Sequence, residues 1–116
     1  MRLRSDIWVA AYLRRCMVEG ASAVLRRRGA AEAGAIFVKI DRLDGTAAVF
    51  GPAPQSAAFE WPLGLERVFV RTHKPEWIES SEADLRLERE RRFDPDLWVI
   101  EFEAPDLLPP FEAKLV

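Results

Sequence analysis

His73 is the only histidine and Cys16 the only cysteine in the chain, and together they bound the covalent chemistry it can do. Nucleophilic catalysis of the Ser-His-Asp or Cys-His kind needs a base within hydrogen-bond reach of the nucleophile. His73 closes a strand-like run just before Lys74-Pro75, and nothing in the spacing brings it to Cys16 or to a serine. Cys16 falls on the apolar side of a helical stretch, where a free thiol behaves as a small hydrophobe. Zinc prefers Cys and His ligands, and one of each cannot build a typical site. No catalytic residue, metal or cofactor is therefore expected. Carboxylates offer two pairs, Asp41 with Asp44 and Asp94 with Asp96. Each has a plainer use, since Asp44-Gly45 is turn chemistry and Asp94-Pro95 breaks a helix before a strand. Gly51-Pro52-Ala53-Pro54 has neither the glycine spacing nor the lysine of a phosphate loop, and its prolines remove the N–H groups that would cradle an anion. Arg26-Arg27-Arg28 reads as a solvated strand edge that discourages edge-to-edge pairing, with nucleic-acid contact as the sharper alternative.

One pattern offers more. Side chains alternate across a strand, so if Ile36, Val38 and Ile40 face the core, Phe37 and Lys39 face away. In Arg67-Val68-Phe69-Val70-Arg71-Thr72-His73 the same logic buries the valines and ejects Phe69, Arg71 and His73. The candidate binding residues are thus Phe37, Lys39, Phe69, Arg71 and His73. Aromatic rings among basic groups suit stacking of single-stranded bases with phosphate contacts. They equally suit a protein interface, where aromatics and Arg are enriched, or a surface covered by the chain's own helix, loop or tail.

The elements that must position these residues follow from periodicity and punctuation. Ser5 is placed to cap a helix carrying Asp6 in its first turn and ending at Gly20. Ser22 to Arg28 reads as a short strand. Ala35 to Asp41, the turn Arg42-Leu43-Asp44-Gly45 and Thr46 to Phe50 form a hairpin, with Gly45 free to take positive φ. Residues 51–66 form a loop anchored by Phe59 and Trp61. Residues 67–73 return as a strand ended by Pro75, and Ser81 with Asp84 resembles a capping box opening a charged helix to about Arg92. Glu82–Arg86 and Glu88–Arg92 are spaced for favourable helical ion pairs. Leu97 to Glu103 is a last strand with Trp98, Ile100 and Phe102 on one face. The fold class expected is α+β: an approximately five-stranded, mainly antiparallel sheet, an N-terminal helix packed on it, and a second, charged helix before the last strand. Residues 1–104 form one domain, and 105–116 a C-terminal tail, extended or packed on a partner, with Leu107, Leu108, Phe111 and Leu115 as its apolar members.

Composition narrows the partners. With 49% hydrophobic and 31% charged residues the chain has the balance of an ordinary globular domain. A formal charge of −2 argues against a dedicated duplex-DNA binder, whose affinity comes from neutralising phosphates. A lone cysteine gives no internal disulfide. The apolar run from Ile7 is cut at Arg14-Arg15, too soon for a signal peptide, and no run approaches the ~20 residues of a membrane span. A cytoplasmic location without membrane contact is expected.

Three stretches together resemble a known family: Ile7-Trp8-Val9-Ala10-Ala11-Tyr12-Leu13-Arg14-Arg15-Cys16; Gly34-Ala35-Ile36-Phe37-Val38-Lys39 on through Asp44-Gly45 to Phe50-Gly51-Pro52-Ala53-Pro54; and Phe93-Asp94-Pro95-Asp96-Leu97-Trp98-Val99-Ile100-Glu101. They resemble a small, mainly alphaproteobacterial family, domain of unknown function 1491. The resemblance covers most of the chain, least in 55–65 and after Glu103, and implies a bacterial single-domain protein with no activity or site residue to carry over. Function therefore rests on the residues. They favour a non-catalytic interaction or accessory domain acting through protein contacts, with homodimerisation as one form of it. Single-stranded nucleic-acid binding by the aromatic and basic sheet face stands second, and an enzyme using carboxylates around Asp94 and Asp96 third.

Overall fold

The computed structural model describes residues 4–53, 67–103 and 113–115, the last of these by backbone alone. The expected anchors Phe59 and Trp61, and the tail residues Leu107, Leu108 and Phe111, lie outside the described residues. The elements in chain order are α1 (Ser5–Val18), β1 (Ser22–Arg27), β2 (Ile36–Asp41), β3 (Thr46–Pro52), β4 (Arg67–Arg71), β5 (Ile78–Glu79), α2 (Ser80–Phe93), β6 (Trp98–Glu103) and β7 (Ala113–Leu115). This is the α+β architecture expected, with a sheet that is larger and less uniform.

Along the sheet the strands run β1-β6-β2-β3-β4-β7, and β5 pairs with β3 beside that path. The β2–β3 hairpin is antiparallel, as are β1–β6, β3–β4 and β3–β5. β6 lies parallel to β2 and β7 parallel to β4, so the sheet is mixed. The last long strand is therefore not an edge: it slots between β1 and β2, which are consecutive in the chain. β7, within the tail, extends the sheet beyond β4.

The two helices cover opposite faces. Under α1, Trp8, Val9, Tyr12 and Cys16 pack with Ile36, Val38, Ile40, Ala48, Phe50, Phe69, Trp98, Ile100 and Phe102. Under α2, Ala83 and Leu87 pack with Phe37, Ala47, Val49, Ile78, Leu97 and Val99. Strand alternation thus supplies two cores, the first much the larger.

Helix ends are satisfied by the tertiary structure rather than by the side-chain caps expected. Ser5 is itself helical and buried, and its hydroxyl donates to the Gly34 carbonyl at 2.6 Å. The first free amides of α1, at Ser5 and Asp6, donate to the carbonyls of Glu32 and Ala31. At the other end Gly20 takes φ 78°, and the amides of Gly20 and Ala21 close back on Met17 and Cys16, the paired bonds of a Schellman turn. α2 begins two residues earlier than a Ser81 cap would place it, and no side chain caps it. The Ser81–Asp84 box does not form because Ser81 lies inside the helix, with Glu79 at the N-cap; Asp84 instead pairs with Lys39 at 2.9 Å. Glu82 pairs with Arg86 as expected, whereas Glu88 takes Arg91 in place of Arg92.

The loop that receives α1 is clasped to β6. Trp98 Nε1 donates to Ala30 O at 2.8 Å, and the Ala30 amide donates to Asp96 O at 2.9 Å. Gly34 is required by proximity: a Cβ there would strike the Asp96 carbonyl and the Trp98 indole.

A charged cleft between the second helix and the sheet edge

The five residues expected to share one outer face do not share it. Phe37 (8% exposed) lies beneath α2, over Gly51, where a Cβ would meet its ring at 2.8 Å. Phe69 (1% exposed) lies on the opposite face, with its ring centroid 5.8 Å from that of Trp8. The cause is register. Phe50 stands opposite Arg71 and Pro52 opposite Phe69, and directly paired residues share a face. β4 therefore turns Arg67, Phe69 and Arg71 toward α1, with Arg67 over Trp8 and Arg71 4.9 Å above the Phe50 ring. Val68 and Val70 take the other side.

His73 is buried by a backbone role. Its Nε2 accepts from the Val49 amide at 3.0 Å, and its Nδ1 lies 2.6 Å from the Pro75 carbonyl. These partners fix the neutral tautomer with the proton on Nδ1. The ring stands in for a strand neighbour just where β4 leaves β3. Burial is the main force holding His73 below the usual histidine pKa, with Arg86 and Arg71 acting in the same direction against the Pro75 bond and Glu82. Cys16 and Tyr12 are buried in the α1 core, where burial pushes both the thiol and the phenol upward. A protonated, inaccessible thiol is a poor nucleophile.

The carboxylate pairs serve turns. Asp41 accepts from the Leu43 amide, Asp44 from the Thr46 amide and hydroxyl, and Asp94 from the Asp96 amide. Among the described residues no group of at least three His, Cys, Asp and Glu side chains is arranged to hold a metal ion.

Lys39 leads to a site that sequence reading did not find. It is 4% exposed and stands directly opposite Glu101, 8% exposed, in the parallel β2–β6 pairing. Lys39 Nζ lies 2.9 Å from Asp84 Oδ1 and 3.9 Å from Glu101 Oε1, and Glu101 also pairs with Arg26. A chain of charge thus runs Arg26–Glu101–Lys39–Asp84 from β1 across β6 and β2 to α2. It forms the floor of an open cleft of about 480 Å³, whose walls are Arg26 and Arg27 on one side and Leu87, Glu88 and Arg91 on the other. The cleft exists because α2 lies over β2 and β3 and leaves Val99 and Glu101 of β6 at its margin. One sequence signal could have revealed it. Ile36-Phe37-Val38-Lys39-Ile40 and Trp98-Val99-Ile100-Glu101-Phe102 each carry one charge, of opposite sign, at matching places in otherwise apolar strands.

Outside the cleft, α2 turns Leu85 and Phe93 to solvent. No helix among the described residues is long and apolar enough to cross a membrane.

The family model for a protein of unknown function, DUF1491, matches residues 3–112. The crystal structure of a DUF1491 family protein from Caulobacter crescentus CB15 superposes with a TM-score of 0.76 at 36% identity, covering 100% of this chain and 99% of that one. An NMR structure of a DUF1491 family protein from the same organism gives 0.75 at 36% identity, with 100% and 98% covered. The solution structure of a protein from A. tumefaciens gives 0.72 at 42% identity, with 92% and 90% covered. No functionally curated protein matches. A family model spanning nearly the whole sequence, together with full-length relatives at this identity, leads to one conclusion: the chain belongs to the DUF1491 family.

Proposed function

We propose that this protein is a non-catalytic interaction domain that works through protein contacts, and that the outer side of α2 carries the contact. The observation behind this reading is the exposure of Leu85 at 62% and Phe93 at 88% on a helix whose other apolar residues, Ala83 and Leu87, are consumed in the core. With about 100° per residue, positions 85, 89, 92 and 93 all point away from the sheet. An exposed Phe and Leu beside Arg89 and Arg92 have the composition of an interface centre, where aromatics and Arg carry most of the binding energy. Apolar area left in water forgoes about 25 cal/mol per Å², which a partner recovers. A second copy of the chain is the simplest such partner.

The nucleic-acid alternative is less well supported, because its stacking platform is divided between the two faces and each ring lies under a helix. The carboxylate-enzyme alternative is weakened by the turn bond that occupies Asp94.

Sedimentation of the wild type and of Leu85→Ser/Phe93→Ser, together with affinity capture from a bacterial lysate using each as bait, tests the proposal. Self-association, or a stoichiometric captured protein, that disappears in the double variant at unchanged melting temperature supports it. Identical monomers capturing identical proteins would overturn it.

A further inference from the structure

The cleft between α2 and the β1–β6 edge carries a second, independent inference. Its lining brings together four cations, Arg26, Arg27, Lys39 and Arg91, and three carboxylates, Asp84, Glu88 and Glu101. The pairing consumes all but one of the cations: Arg26 takes Glu101, Lys39 takes Asp84 with Glu101, and Arg91 takes Glu88. Arg27 makes no ion pair with a carboxylate among the described residues, although, behind the Arg91 hydrogen bond, its charge helps hold the Glu88 carboxyl below its usual range. Its guanidinium donates to the Pro95 carbonyl, while its buried Nε has no acceptor among the described residues. One wall of the cleft therefore presents a positive group that is held in place and incompletely satisfied.

The floor strengthens the case. An ion pair buried in a sheet costs desolvation, and apolar residues of similar size would hold the fold as well or better. Lys39 and Glu101 interrupt the otherwise apolar runs 36–40 and 98–102, where the sheet emerges from beneath α2. A few charged side chains converging at the bottom of a concave cleft are the polar groups by which a small-molecule site fixes its ligand. A volume of about 480 Å³ lies within the range of small-molecule pockets. Leu87 and Val99 are its apolar lining, and no aromatic ring among the described residues lines it. That lining suits a small aliphatic or sugar-like body and gives no platform for a base.

We propose that this cleft binds a small organic molecule through a carboxylate or phosphate oxyanion, held between Arg27 on β1 and Arg91 on α2. Guanidinium groups grip either oxyanion in a bidentate manner. Glu88, nearly half exposed and paired with Arg91 within one helix turn, is the group that swings to solvent as the ligand enters. Exposed pairs of this kind contribute little and are readily exchanged. Lys39 remains beneath as a fixed positive charge.

The test is an NMR titration of the nitrogen-15-labelled protein at constant ionic strength, with inorganic phosphate and with succinate in separate series and sodium chloride as the control. Saturable shifts at the Arg27 and Arg91 Nε–H signals and at amides 26–28, 88–91 and 99–101 are expected. The tighter of the two anions identifies the ligand's head group. Arg91→Gln should weaken binding ~10-fold, the loss of one charge-assisted bidentate contact, and Arg27→Gln should do at least the same. Because Arg27→Gln also loses the Pro95 contact, Arg91→Gln on the half-exposed helix is the variant that decides. Leu85→Ser/Phe93→Ser should bind as the wild type does, which separates this site from the protein-contact surface. Shifts that chloride reproduces, that fail to saturate, or that survive Arg91→Gln would overturn the proposal.

Discussion

The face under α1 and the face under α2 are made by alternate residues of the same strands, yet they are finished differently. The α1 face is closed. Trp8, Tyr12, Phe50, Phe69 and Trp98 fill it, each at most 2% exposed, and the Trp8 and Tyr12 rings stack with centroids 4.9 Å apart. The α2 face is closed only over β2, β3 and β5, by a helix that contributes two buried residues, Ala83 and Leu87. Beyond that helix the sheet surface becomes charged and opens into the cleft. A small domain needs one complete core to fold. The second face, relieved of that duty, is where polar groups can be retained at a cost in stability.

The largest effect that separates the faces is expected at Trp98. Trp98→Ala should cost ~3–5 kcal/mol through the cavity it leaves, together with the bond to Ala30. Leu87→Ala, on the α2 face, should fall near the lower end for such truncations, ~2 kcal/mol. Urea denaturation measures both, and equal losses would erase the distinction. Next comes Gly34→Ala, where the new methyl meets the Asp96 carbonyl and the Trp98 indole; overpacking of this kind costs ~1–3 kcal/mol. Smaller still is the effect of Lys39→Met combined with Glu101→Leu. Replacing a buried ion pair with apolar residues is neutral or mildly stabilising, so the midpoint should hold or rise while anion binding in the cleft falls. A clear loss of stability would instead make the pair part of the scaffold.

The smallest effect is the pH response of His73. Unfolded, the ring titrates near 6.5; folded, burial lowers it. The unfolded chain therefore takes up its proton first as pH falls. The stability held by the neutral ring is complete above about 6.5 and declines as pH drops through that value toward the folded one. Protonation would also set an Nε2–H against the Val49 amide. Between pH 7.5 and 5.5 the wild type should lose stability more steeply than His73→Gln, on the order of a fraction of the slope of one titrating proton. Parallel curves would show that the ring is not held neutral.

How much of this was legible depended on the sequence distance over which each feature is specified. The β2–β3 hairpin was readable because alternation and Asp44-Gly45 lie within one short stretch. So were both helices, from Asp6 to Gly20 and from the charged run before Pro95. The facing of β4 was not, because Val68 and Val70 look like core residues in isolation. What turns Phe69 to the α1 side is a register with Phe50 and Pro52, set across residues 54–66. The cleft was hidden for the same reason. Lys39 meets Glu101 through a parallel pairing between strands separated by β3, β4, β5 and α2. The burial of His73 depends on one amide of β3 that pairs with a ring in place of a strand.

The insertion of β6 between β1 and β2 has a consequence for how the chain reaches this structure. Every residue of this inserted strand arrives after both of its neighbours have been made. Until then β1 and β2 each present an unpaired edge toward an empty lane in the sheet. Contacts of such long sequence separation slow folding, since the loop must close before the pairing rewards it. On the ribosome, α1 and the β2–β3 hairpin emerge early and wait, and the large α1 core cannot close until Trp98, Ile100 and Phe102 are delivered. Exposed strand edges invite pairing with other chains, so this is the interval in which the nascent protein is most open to aggregation. Arg26, at the bulge where β1 slips register against β6, and its neighbours Arg27 and Arg28 place charge on the edge that waits longest.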